Sequence, residues 1–167
     1  MLLQRCQISS PVGELILLAQ HTTLISLMWS DRIDETERHL RRHMGPWTTE
    51  SVDEIRDWSR ATNAYFNGVF TAFDGLSIRP PGTAFQALVW AGLRAIPPGN
   101  IRSYQELARF IGRPTSCRAV ANANGKNPLP IVIPCHRVIS TDGSLGGFSS
   151  GLPRKRWLLR HEGIARF

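Results

Sequence analysis

Apolar and polar positions along this chain fall into short periodic segments separated by turn residues. From residue 7 to 30, QISSPVGELILLAQHTTLISLMWS is apolar in brief runs rich in Leu and Ile, which predicts short strands. The Pro11-Val12-Gly13 turn and the polar stretch Gln20 to Thr23 separate those runs, so a hairpin or meander is expected. Residues 31–44, DRIDETERHLRRHM, place acids first and bases last, matching a helix dipole, with Ile33, Leu40 and Met44 available for a buried stripe. A second helix is expected from Val52 to Phe66, burying Ile55, Trp58, Ala61, Tyr65 and Phe66 and stopping at Asn67-Gly68.

The next punctuation is stronger. DGLSIRPPG, residues 74–82, joins a strand fragment to Pro80-Pro81-Gly82, which marks a boundary: an N-terminal domain over 1–78, a linker over 79–82 and a C-terminal domain over 83–167. Thr83 and Gln86 form a capping box that opens a helix through FQALVWAGLRAI, with Phe85, Leu88, Val89, Gly92 and Ile96 expected inward and Pro97-Pro98-Gly99 as its end. Ser103 and Glu106 form a second capping box, opening a short helix through Leu107, Ala108 and Ile111 that closes at Gly112. After a turn, SCRAVANAN from Ser116 to Asn124 is small and helical, ended by Gly125. Two short helices about a glycine-containing turn fit a helix-turn-helix, its second helix carrying Arg118. NPLPIVIPCHRVIS then reads as an extended apolar run broken by three prolines, followed by the turn TDGS, the loop GGFSSG and a last helix opened by Pro153 and closed by Gly163.

Charge sharpens the division. Residues 1–80 carry eight arginines against ten acids, a net −2, whereas residues 81–167 carry twelve Arg and Lys against three acids, a net +9. A basic half dominated by arginine suits a polyanionic partner, since guanidinium groups bind phosphates and base edges bidentately. At 167 residues the chain can bury a real core without disulfides, and three cysteines with no signal-like start are expected to be reduced thiols. No run of eighteen apolar residues is present, so no membrane partner is expected. The expected location is cytoplasmic, at the nucleoid in a bacterium or in the nucleus of a eukaryote.

The candidate chemistry lies in PIVIPCHRVIS, residues 130–140. A lone cysteine among Ile and Val is ordinarily a small buried hydrophobe, and Cys6 and Cys117 have no partners at zinc-ligand spacing, so no metal is expected. Three features favour a nucleophile. Pro134 interrupts any regular central strand and bends the chain beside Cys135 and His136. Arg137 and the glycine-rich GGFSSG loop suggest a pocket that backbone approaches closely. Glu162 sits near the end of the last helix, where the dipole opposes a carboxylate and a specific partner is wanted. A cysteine-histidine-acid relay would supply one, but the residues alone leave the structural and the reactive cysteine both open.

Pro134-Cys135-His136-Arg137-Val138, with Asn127-Pro128 upstream and the ending LLRHEG, resembles the O6-alkylguanine-DNA alkyltransferases, as does SSPVGELIL near the start. The resemblance spans the chain. It implies an α+β protein with two parts: an N-terminal ribonuclease-H-like α/β domain with an antiparallel sheet, and a C-terminal winged helix-turn-helix domain that carries the reaction. The implied reaction is direct, irreversible and single-turnover: an alkyl group passes from O6 of guanine, and from O4 of thymine, in a flipped-out base to Cys135. In that scheme His136 draws the thiol proton through a water, Glu162 orients the imidazole, Tyr104 protonates the leaving base at N3, and Asn127 ties the DNA-binding motif to the active segment. Arg118 is implied as the finger that fills the stack, with Ala119, Ala121, Ser103, Thr115 and Ser116 along the DNA-facing surface. Val138, Phe148, Ser149, Lys155 and Pro130 are implied to line the substrate pocket. The implied partner is double-stranded DNA entered from the minor groove, with single-stranded DNA as a further ligand, bound by a monomer that clusters along the strand.

Some positions depart from the family pattern. Phe148 stands where tyrosine is usual, Ser149-Ser150 where Ser-Gly or Gly-Gly is usual, Ala121 where glycine is common, and Gln20 where one zinc-binding cysteine of some relatives would be. The first three touch the substrate pocket and the fit to the groove, and Phe148 and Ser150 bear on which alkyl groups are accepted. Three rival readings make distinct demands: a lesion-binding module would form no thioether, a winged-helix regulator would prefer a sequence, and a cysteine hydrolase would turn over.

Overall fold

The computed structural model describes residues 1–167 and divides into two compact units, Met1–Gly82 and Thr83–Phe167. In the first unit β1 (Leu2–Ile8), β2 (Leu15–Gln20) and β3 (Thr23–Trp29) form an antiparallel meander. A fourth strand, β4 (Thr48–Ser51), adds to the far side of β1 in parallel, giving the order β3-β2-β1-β4. The meander therefore begins at Leu2 rather than residue 7, and the antiparallel sheet carries a parallel edge strand that its polar TTES sequence does not advertise.

Helices cover both faces of this sheet. Helix α1 (Ile33–Met44) closes one face over a cluster of Leu3, Ile16, Leu18, Ile25, Leu40 and Trp47, with Ile33 and Met44 at its margin. Helix α2 (Arg56–Phe66) covers the other, where Ser59 meets Cys6 and Trp58 donates its indole N–H to the carbonyl of Thr22. It starts four residues later than Val52 because β4 and its turn occupy the preceding stretch, and Phe66 is only half-buried. The Arg79 amide donates to Leu24 and the Pro81 carbonyl meets the His39 ring, so part of the expected 79–82 linker is pinned to this unit.

In the second unit, α3 (Ala84–Arg94) and α4 (Tyr104–Phe110) each begin with the complete capping box expected at Thr83/Gln86 and Ser103/Glu106. The buried stripe of α3 is Val89, Trp90, Gly92 and Leu93, continued by Ile96. Leu88 is exposed and Phe85 half-buried, which corrects the expected phase; the Trp90 indole donates to the Ala123 carbonyl and fixes the helix by its largest side chain. Gly92 is where α3 and α4 touch: a Cβ there would lie 2.5 Å from Ile111 Cγ2 and 3.0 Å from Leu107 Cδ1. Helix α5 (Cys117–Gly125) packs against both α3 and α4, completing the helix-turn-helix. The unit ends with α6 (Leu152–His161), with Pro153 in its first turn.

Candidate active site

Between α5 and α6 the chain folds into a compact loop instead of an extended run. Asn127 organises it from within, receiving the Leu129 amide on Oδ1 at 2.9 Å and donating Nδ2 to the Ile133 carbonyl at 2.7 Å. Ile133 in turn donates to Leu129, and Ile131 is forced to a φ of 76°, a value a β-branched residue rarely adopts. The correction to the extended reading thus has one cause: a buried carboxamide that satisfies both ends of a turn. Beyond Pro134 the chain makes a 3-10 turn, Cys135–Arg137, and then pairs as β6 (Val138–Ile139) in parallel with β5 (Arg102–Ser103). That two-residue pairing lays the start of α4, and so Tyr104, beside the cysteine turn.

All three residues of the turn are buried: Cys135 is 3 % exposed, His136 0 % and Arg137 5 %. The carboxylate of Glu162, just past the last turn of α6, receives His136 Nε2 at 2.9 Å and is gripped by Arg137, Nε on one oxygen and Nη2 on the other, each at 2.8 Å. Arg137 also donates to the Ile96 carbonyl. Glu162 therefore has the specific partners its position demands, and they are His136 and Arg137 rather than the neighbouring Arg160, which bonds the Phe167 carbonyl. Burial opposes its charge, but the hydrogen bonds from His136 and Arg137 overcome that and hold its carboxyl well below the usual range.

An ionised carboxylate only accepts hydrogen bonds, so His136 carries its proton on Nε2. Its Nδ1 is buried with no hydrogen-bond partner. Burial also lowers the histidine's pKa despite the contact with Glu162, leaving a neutral imidazole with a free basic nitrogen at physiological pH. Burial pushes the Cys135 thiol up to about 11, against a hydrogen bond from Asn127 and the charge of Lys155. Lys155 is itself fully buried, its ammonium donating to the carbonyls of Val138 at 2.6 Å and Gly147 at 2.9 Å, and burial brings it down to about 8.

The remaining expected residues distribute as follows. Tyr104 lies against the glycine-rich loop: a Cβ on Gly146 would sit 3.5 Å from its Cε2, and the φ of 72° there suits glycine. Burial, then the nearby Cys135, raises the Tyr104 phenol, and a hydrogen bond from Asn124 opposes them. Val138 and Pro130 are buried, Phe148 half-buried and Ser149 exposed. Arg118 and Ala119 lie exposed on α5 and Ala121 is half-buried, whereas Ala123 turns inward and so is no part of an outer surface. Arg118 makes no hydrogen bond or ion pair within the protein. Thr115 is exposed and Ser116 half-buried, while the Ser103 hydroxyl is engaged in capping α4. Sequence reasoning overlooked Arg137 as the clamp on Glu162; a charged residue inside an apolar run requires a buried partner, and that was the available signal. No group of three His, Cys, Asp or Glu side chains is placed to hold a metal ion.

A buried thiol beside a carboxylate-anchored imidazole, carried on a helix-turn-helix unit with an unpaired exposed arginine, is the equipment of a cysteine nucleophile that works on DNA. Residues 84–164 match the model of the 6-O-methylguanine DNA methyltransferase DNA-binding domain. The methylated-DNA-protein-cysteine methyltransferase of Salmonella typhimurium is 40 % identical over 160 residues, 94 % of each chain, and that of Mycobacterium tuberculosis is 42 % identical over 162 residues, 93 % of this chain and 89 % of the other. The crystal structure of Mycobacterium tuberculosis OGT in complex with DNA superposes with a TM-score of 0.81 at 39 % identity, covering 95 % of this chain and 92 % of that one. The chain belongs to the methylated-DNA-protein-cysteine methyltransferase family.

Proposed function

We propose that this protein repairs DNA by accepting, on Cys135, the alkyl group of O6-alkylguanine and of O4-alkylthymine. The observation that carries the reading is the buried chain of His136 and Glu162 leading to the cysteine turn, with Nδ1 of His136 left free to take a proton. The resting thiol is protonated, since burial holds it near 11, so it must lose its proton as it reacts. His136 Nδ1 takes that proton through a bridging water, and the imidazolium formed is balanced by Glu162. The sulfur attacks the alkyl carbon, the carbon–O6 bond breaks, and its electron pair passes into the guanine ring. Tyr104 protonates the ring at N3, and the proton drawn from the thiol makes good the one delivered. The product thioether has no leaving group that water can displace readily, so each molecule acts once and no cofactor enters.

The target base must leave the duplex to reach Cys135, at a cost of about a few kcal/mol for unstacking. In this reading Arg118, exposed and unpaired on α5, fills the vacated position, and Ala119, Ala121, Thr115, Ser116 and Ser103 lie along the surface that approaches the minor groove. Val138, Phe148, Ser149, Lys155 and Pro130 line the pocket in this reading, and Asn127 holds the active loop. The protein works as a monomer on duplex DNA, clusters along it, binds single strands as well, and acts where the genome is, at the nucleoid of a bacterium or in a eukaryotic nucleus. To test this, excess duplex bearing O6-methylguanine is incubated with protein and the nucleosides are quantified. Restored guanine should equal the moles of protein and then stop; continued conversion would mean a hydrolase, and none would mean a lesion binder.

A further inference from the structure

The turn that closes α3 has no place in the scheme above, yet it meets the catalytic acid twice. Pro97 and Pro98 follow Ile96 and bring no amide hydrogen, and the Asn100 amide bonds the Pro97 carbonyl, so the local chain offers no donor to the Ile96 carbonyl. The donor comes from 41 residues away: Arg137 Nη1 donates to it at 2.5 Å, where Ile96 is 1 % exposed. The same guanidinium grips Glu162 with Nε and Nη2, and Glu162 receives His136 Nε2. Gly99, with a φ of 77°, lies against the same glutamate from the main-chain side: a Cβ there would stand 3.3 Å from the Glu162 backbone carbonyl oxygen.

A bidentate arginine-carboxylate pair is fixed within itself, but the two side chains can still swing as one body. A third bond, to a carbonyl outside the pair, removes that freedom. We propose that the turn at 96–99 is a positioning element of the active site: it holds Glu162 by its side chain, through Arg137, and by its main chain, at Gly99, and so keeps the His136 imidazole seated with its proton on Nε2 and Nδ1 free. The inference rests on the reading of His136 as the base. Trp90 ties α3 to the Ala123 carbonyl of α5, which gives the turn a fixed support, and the turn acts on the chemistry only through the carboxylate.

The test compares two glycines of the same unit. Gly99 and Gly112 have φ values of 77° and 71°, but a Cβ on Gly112 would meet nothing within 4 Å. Alanine or valine carries the same backbone strain at either position, so the Gly112 variants control for lost stability. Single-turnover transfer from duplex O6-methylguanine, with protein saturating, should slow about three- to ten-fold in Gly99→Ala and further in Gly99→Val, since a displacement of even about 1 Å at a catalytic group costs rate steeply. Gly112→Ala and Gly112→Val should transfer as wild type does. Nuclear magnetic resonance of isotope-labelled histidine, recorded without DNA and assigned with His136→Gln, should show protonated Nε2 and bare Nδ1 in the wild type and a mixture of tautomers in the Gly99 variants. Arg137→Lys keeps the charge but replaces the fork by a point donor, so it should give the same mixture, and adding Gly99→Ala to it should slow transfer no further. Gly99 variants as fast as the Gly112 pair, slower ones with an unchanged His136 spectrum, or Arg137→Lys at the wild-type rate would each overturn the inference. If the wild type transfers no alkyl group, the repair reading fails, and the histidine spectra still decide whether the turn seats the imidazole.

Discussion

Replacing Glu162 by glutamine removes one charge while keeping shape, and the structure dictates why the change is severe. Arg137 Nε, Arg137 Nη2 and His136 Nε2 all donate to the two carboxylate oxygens. Glutamine offers one oxygen. If it faces Arg137 Nε, the amide NH₂ confronts Nη2 and His136; if it faces His136, the NH₂ confronts Nε, so a donor meets a donor either way. Relief at His136 requires moving its proton to Nδ1, the nitrogen meant to act as base. Arg137, whose side chain is 7 % exposed, also loses its counter-charge, a change that costs about 3–5 kcal/mol in comparable buried pairs. Typical domain stabilities are about 5–15 kcal/mol, so most of the variant stays folded. Single-turnover transfer should fall about a hundred- to ten-thousand-fold, the worth of a positioned general base, while urea unfolding reports the stability loss. Transfer within three-fold of wild type, in a variant that has lost that stability, would refute the proton path; undiminished stability would refute the buried clamp.

Three further outcomes follow from the same geometry. Because the folded thiol ionises near 11 against an ordinary 9.0, stability conferred by the buried thiol is present below pH 9 and lost as pH rises toward 11; Cys135→Ser should remove about 2–3 kcal/mol of that alkaline decline in urea titrations. Arg118→Ala should slow transfer from duplex DNA far more than from the free modified base, with equal losses counting against a finger, and wild-type DNA binding should weaken steeply with salt. Gly92→Ala should destabilise the second unit by about 1–3 kcal/mol, seen as a lowered urea midpoint, because the new Cβ would overlap Ile111; an unchanged midpoint would mean that α3 and α4 separate freely.

What could be read from the sequence was whatever is encoded within a few neighbouring residues. The capping boxes at Thr83/Gln86 and Ser103/Glu106 satisfy their amides locally, and both formed as read. Cys135, His136 and Glu162 were identifiable from motif and helix position, and the structure brings His136 and Glu162 together at 2.9 Å. Features set by distant partners were not legible. β4 is a polar segment made a strand by pairing with β1, and the phase of α3 is decided by Trp90 reaching α5. The loop at 127–135 curls because Asn127 bonds two backbone groups that its composition does not reveal. Arg137 was passed over as the clamp for the same reason: its meaning lies in Glu162, 25 residues away.

The central claim is that Cys135 becomes the permanent carrier of the alkyl group. Intact-protein mass spectrometry after incubation with excess duplex bearing one O6-methylguanine, for wild type and Cys135→Ala, tests it most directly. One added methyl is expected on the wild type, mapped by peptide fragmentation to Cys135, and none on the variant. An unmodified, folded wild-type protein, or a methyl group on Cys6 or Cys117, would contradict it.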